Sequence, residues 1–157
     1  MLLVKTKVGP SNVHGMGLFA DEFISKGTPV WEFTEGFDLK AQEQDLARLS
    51  EAAREQFLNY CYHSSVDGSY VLCFDNARFF NHSHTPNVKS ADSPKHEEGM
   101  DVALRDIQPG EELTCDCREF DIDCANGTEW YCERKVPPIR QPQQVASLGP
   151  LLERRAH

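Results

Sequence analysis

The chain has 157 residues, 39% of them hydrophobic and 26% charged, a balance that supports one globular domain with its own core. Its 16 Lys and Arg face 25 Asp and Glu for a formal charge of −9, which excludes a protein that holds nucleic acid mainly through phosphates. No apolar run approaches the roughly 20 residues of a membrane span, and MLLVKTKVGP is too short and too soon charged for a secretory signal. A soluble intracellular protein is expected, without membrane or direct nucleic-acid partners. The acidity suits a lysine-rich partner steered by long-range attraction, though it equally serves solubility.

In chain order, LLVKTKV alternates like a strand and GPSNVHGMG reads as a turn-rich loop. LFADEFISKGTPVWEF predicts two short strands joined at Lys26-Gly27-Thr28-Pro29. From Ala41 to about Tyr62, Leu46, Leu49, Ala53, Phe57 and Tyr60 recur near a 3.6 period and predict the one clear helix. Ser64 to Ser69 is a turn containing Asp67-Gly68, SYVLCFDN is a strand, and RFFNHSHTPN is a loop that no period explains. A polar stretch, Lys89 to Glu98, precedes a strand in MDVALRDI. A turn at Gln108 to Glu111 leads into a last short strand, ELTCDC. The segment beyond Val136, with Pro137, Pro138, Pro142 and Pro150, is expected to be loosely ordered. There is no internal repeat, and the sum is a mainly β fold with irregular loops.

Six cysteines lie at 61, 73, 115, 117, 124 and 132. With no secretion signal and enough apolar residues for a core, reduced thiols or a metal site are expected ahead of disulfides. Cys61 and Cys73 sit among apolar and aromatic residues and read as small core residues.

Three blocks carry a resemblance: HGMGLFA (His14 to Ala20), RFFNHSHTPN (Arg78 to Asn87) and VALRDIQPGEELTCDC (Val102 to Cys117). Their order and spacing resemble the SET-domain family of lysine methyltransferases, with the stretch bearing Phe120 and Trp130 in the place of the short post-SET region. The resemblance covers roughly Val4 to Cys132. It implies a SET domain over residues 1–132 followed by a tail, 133–157. The implied fold has several small curved sheets around a knot-like core, in which the C-terminal segment passes beneath a loop. The helix at 41–62 would be a variable insert shaping the substrate groove.

The same resemblance implies S-adenosyl-L-methionine as cofactor and a lysine-containing basic peptide or protein as substrate. His14, Gly15, Met16 and Gly17 match the glycine motif, where missing Cβ atoms let backbone approach a ligand closely. Asn81 and His82 match the residues that hold the cofactor, Arg78 an arginine near it, and Tyr60 a tyrosine of the same region. Phe120 and Trp130 are candidate lids for adenine, since a flat π face stacks on a purine. On the chemical side, the family's catalytic tyrosine is Cys117 here, and the position linked to the number of methyls added is Cys115. A thiol is shorter than a phenol and a weak hydrogen-bond donor. Three readings stay open: Tyr62 or Tyr70 substitutes for the missing phenol, the protein binds without turnover, or Cys117 itself accepts a methyl. Where many members carry a zinc-ligating cysteine this chain has His84. Cys115, Cys117, Cys124 and Cys132 could join it, but their spacings are poor and no metal site is assigned.

Overall fold

A computed structural model describes residues 1–127; Trp130, Cys132 and the tail lie outside the described residues. Among the described residues, ten short strands form four small sheets. β1 (Thr6–Pro10) pairs antiparallel with β2 (Met16–Ala20). β3 (Pro29–Glu32) and β8 (Val88–Ala91) flank β9 (Met100–Ala103) in an antiparallel sheet. β4 (Leu39–Ala41) and β5 (Cys61–His63) likewise flank β6 (Tyr70–Leu72). β7 (Asn81–His82) and β10 (Thr114–Cys115) are parallel, which brings the C-terminal segment alongside the RFFNHSHTPN loop.

Sheets this small cannot bury a face alone, so they share cores. Leu18, Ala20, Ile24, Val30, Val88, Ala103, Ile107 and Leu113 form one buried cluster drawn from two of the sheets and the loops around them. Trp31, Phe33, Val71, Cys73 and Ala77 form a second. Cys61 and Cys73 are buried, as expected of small core residues.

Several elements differ from those read in the sequence. The helix expected over 41–62 is two helices, α1 (Glu43–Leu46) and α2 (Glu51–Tyr60), and Ala41 already belongs to β4. Ser50 breaks the run, because its hydroxyl accepts the Ala53 N–H and restarts the helix as an N-cap. Beyond Tyr60 the chain turns extended, since Cys61 and Tyr62 pair with Leu72 and Val71. α2 buries no residue, and Leu49 in the preceding link is exposed, so the 3.6 period there marked no core face. The first strand begins at Thr6, later than the alternation of LLVKTKV implies. Val88–Ala91, three of its four residues inside the stretch read as polar, is an edge strand whose Val88 is fully buried. The last strand ends at Cys115, so Cys117 does not share its face but opens a 3₁₀ turn, Cys117–Glu119, followed by α3 (Ile122–Ala125).

Ile107 is fully buried and its backbone exchanges both hydrogen bonds with Ile24, at 3.0 and 2.8 Å. Ile107→Ala is expected to cost about 2–5 kcal/mol, seen as a lower urea midpoint with an unchanged m-value.

Candidate active site

Gly15, with φ 47°, occupies a left-handed turn that side chains rarely adopt and that sets the loop entering β2. Gly17 is needed for a different reason: a Cβ there would lie 2.3 Å from Glu112 Oε1. That carboxylate is a hub. It accepts the Ser11 hydroxyl at 2.7 Å and the Asn81 side-chain amide at 2.8 Å. The same amide nitrogen of Asn81 also donates to the carbonyls of His14 and Met16, both at 3.1 Å. Asn87 completes the frame, donating to the Glu112 carbonyl at 2.8 Å while its own Oδ1 accepts the Thr114 N–H at 2.9 Å. Buried Asn81 thus holds the glycine loop in place, and that loop forms one lip of a cavity.

The cavity, about 1270 Å³, is large enough for a cofactor and a long side chain together. His14, Gly15, Met16, Tyr60, Tyr62, Arg78, Asn81, His82, Cys115, Cys117 and Phe120 all line it. Gly17 lies beneath the loop and does not reach the lining, and Trp130 is outside the described residues. Tyr60 meets Phe79 edge-on at 5.5 Å, and Arg78 reaches over the same Phe79 ring at 5.4 Å. Tyr62, on β5, meets Phe120 edge-on at 5.1 Å.

One wall is acidic. The Tyr62 hydroxyl donates to Glu98 Oε2 at 3.0 Å, and burial pushes the phenol far above its ordinary pKa. Glu98 also accepts from the Ser64 hydroxyl at 2.8 Å and pairs with Lys40 at 2.5 Å. Lys40 in turn reaches Asp67 at 2.8 Å, and this hydrogen bond helps hold the Asp67 carboxyl at about 2. Asp101 lines the cavity close by, its carboxyl raised to about 6 by burial. Tyr70 also faces the cavity, donating to Glu43 at 3.2 Å and stacking on His63 at 4.7 Å.

A SET domain profile matches residues 15–118. The chain belongs to the SET-domain family. It is 33% identical over 132 residues to histone-lysine N-methyltransferases, H3 lysine-4 specific, of Aspergillus oryzae and Aspergillus fumigatus. The match covers 72% of this chain but 10% of each relative, so the chain spans about a tenth of their length. The crystal structure of a Plasmodium falciparum protein assigned as a histone methyltransferase superposes with a TM-score of 0.51 over 73% of this chain and 94% of that one. At 18% identity this likeness establishes the fold alone.

Within this SET domain the two cysteines of ELTCDC have different fates. Cys115 is a buried free thiol whose pKa burial drives well above the usual value, so it stays protonated. Cys117 is bonded to Cys124, which corrects the expectation of reduced thiols. The physical reason is local: Asp121 caps α3 by accepting the Asp123 and Cys124 N–H groups, folding Cys124 back over the 3₁₀ turn that begins at Cys117. His82 Nδ1 lies 3.1 Å from the Cys117 sulfur and accepts its backbone N–H at 3.3 Å. Burial lowers the His82 pKa despite Asp116 at 3.7 Å, leaving the ring neutral near pH 7.

His82, Cys117 and Cys124 are the donors that the described residues bring within metal-ligand reach, but the two sulfurs are joined to one another. His84 instead contacts the far side of His82, at 3.4 Å. No helix of the described residues is long and apolar enough to cross a membrane.

The sequence reading missed Glu98, Asp101, Lys40 and Glu112. Glu98 lies in a polar stretch with nothing to single it out, and Lys40 precedes the first helix as an ordinary surface-like lysine. Asp101 did carry a signal, a lone charge inside the otherwise apolar run MDVAL.

Trypsin cuts after Arg118, between the two bonded cysteines. A non-reduced digest is therefore expected to yield peptides 106–118 and 119–134 as one linked species that mass spectrometry resolves into two after reduction.

Proposed function

We propose that this SET domain is an S-adenosylmethionine-dependent protein-lysine N-methyltransferase acting on a lysine-containing basic peptide or protein. The supporting observation is the cavity itself, which joins the Asn81-held glycine loop to a narrow wall of Tyr62, Phe120 and Cys115. The relatives named for histone-lysine methylation favour the same reaction class, and a surface of net charge −9 favours basic substrates.

The residues present fit the cofactor. Arg78 and the carbonyls at His14 and Met16 offer opposite charges and dipoles for its zwitterionic end, and Tyr60, Phe79 and Phe120 offer apolar ring surface for its base. When bound, it supplies an electrophilic methyl on a sulfonium. The chain's own contribution is alignment and exclusion of water. Methyl transfer needs a neutral amine, and free lysine has a pKa of about 10.4, so a desolvated channel must favour the uncharged form. The wall formed by Tyr62 and Phe120 sheds water from that channel, and the Tyr62 hydroxyl, committed to Glu98, fixes its ring.

A second reading is favoured by one observation. The tyrosine that the family places at position 117 is replaced by a cysteine whose sulfur is bonded to Cys124. In this oxidised state Cys117 presents neither a hydroxyl to the channel nor a thiolate to accept a methyl. A domain that binds cofactor or peptide without turnover is the outcome if no other group compensates.

Radiolabelled S-adenosylmethionine incubated with the chain and a lysine-rich peptide separates the readings. Label on the peptide is expected, and cofactor uptake with an unlabelled peptide would establish the non-catalytic reading. Cys117→Tyr, which restores the phenol, is expected to raise peptide labelling at least tenfold in folded protein. Gly17→Ala, which drives a methyl against Glu112 and shifts the loop, is expected to weaken cofactor uptake at least tenfold, measured by equilibrium dialysis.

A further inference from the structure

A cavity that takes in a lysine side chain must answer its charge as well as its length. Of the six carboxylates among the described residues that line this one, Glu98 and Asp101 act on Tyr62, and they are not equivalent. Glu98 is already satisfied by Lys40, Ser64 and Tyr62. Asp101 is different. Its Oδ1 accepts one neutral hydrogen bond, from the Ser90 hydroxyl at 3.3 Å, and among the described residues no lysine, arginine or histidine pairs with it. It projects from the centre of the β3-β9-β8 sheet, opposite Trp31 on one side and Ser90 on the other. It is partly accessible and lines the cavity.

We propose that Asp101 is the anchor for the substrate's lysine ammonium, a specificity-determining group that makes the cavity select a cationic side chain over an apolar one of equal length. The assignment rests on the cavity being the lysine site and concerns the protonated side chain as it binds; for turnover the ammonium must lose its proton, and with it the ion pair, before the amine accepts a methyl. A partly buried carboxylate with one weak neutral partner gains more from an incoming cation than a carboxylate already paired. The apolar stem of the same side chain would lie along Tyr62 and Phe120, which line the approach.

The groups facing Asp101 set the pH at which the anchor works. Tyr62 from β5, Cys73 just after β6 and Cys115 from β10 feel its charge, and all three are neutral across the working range because burial holds their protons on. Glu119 repels it and the N-terminal ammonium attracts it, both more weakly than burial acts. Burial raises the Asp101 carboxyl to about 6. The anchor is therefore charged above that pH and neutral below it, while a peptide lysine remains an ammonium throughout. Selectivity for lysine is present at pH 7.5 and lost as pH falls through about 6.

The test uses the full chain and two arginine-flanked peptides, identical except that one carries a single central lysine and the other norleucine there. By isothermal titration at pH 7.5 the wild type is expected to bind the lysine peptide at least tenfold tighter, with the difference collapsing at pH 5. Asp101→Asn is expected to bind both peptides alike at either pH, and Asp101→Glu to keep a preference for lysine. An Asp101→Asn protein that folds and still prefers lysine overturns the anchor. If that variant does not fold, a wild-type preference that persists unchanged at pH 5 overturns it. Wild-type protein that takes up S-adenosylmethionine yet does not distinguish the peptides overturns the anchor alone. Protein that takes up neither cofactor nor peptide overturns the lysine-site reading and the anchor with it.

Discussion

Glu112 ties together three parts of the chain that no local structure would bring near. Its carboxylate takes hydrogen bonds from Ser11 and Asn81, and its carbonyl takes one from Asn87. The Asn81 amide carries the connection on to the glycine loop, and Asn87 carries it to the start of β10. These are buried or half-buried polar groups, and each is costly unless its partners are in place. The parallel contact of β7 with β10 is only two residues long and could not hold its register alone. Side-chain hydrogen bonds therefore do here what strand pairing does in a larger sheet. The lip of the cavity stands where it does because this network fixes it.

Around that frame the acidic wall follows a consistent electrostatic logic. Glu98 is tolerated in the interior because a cation and two hydroxyls surround it. Asp101 has no such company and responds by holding its proton to a higher pH. The two carboxyls share a cavity but not a role. One is structural, fixing Tyr62 and bracing Lys40 against Asp67; the other is left with capacity for a visitor.

The motifs that could be read in the sequence are those where backbone approach and side-chain chemistry leave few alternatives. Gly15 and Gly17 are dictated by a left-handed turn and a carboxylate in van der Waals range, and Asn81 by the need for two or more donors at one point. The cavity-lining residues named from the motifs are brought together, except Gly17, which supports the loop from beneath, and Trp130, which lies beyond residue 127. Several of the shortest elements, among them β4, β7 and β8, were not legible, because a strand such as Val88–Ala91 is too short for alternation to stand out. The long helix failed for the opposite reason. A genuine 3.6 period ran across Ser50, which the backbone uses as a cap, and past Tyr60, where pairing with β6 overrides helical preference. The Cys117–Cys124 bond left no trace in cysteine spacing, since it depends on the reversal that Asp121 imposes after the 3₁₀ turn.

The cavity draws its walls from residues near 15, 60, 80, 100 and 116, so no fragment of the chain contains it. Its existence is conditional on global folding, with every long-range contact already made. A ligand that enters it is consequently bound by the native state alone, and occupancy adds directly to the free energy of unfolding as RT ln(1 + [L]/Kd). For a domain this small, with sheets of two and three strands, any ligand held in that cavity and the fold would be thermodynamically one system. Ligand concentration then sets how long the chain survives proteolysis, since cleavage proceeds through the opened state whose population the ligand depletes.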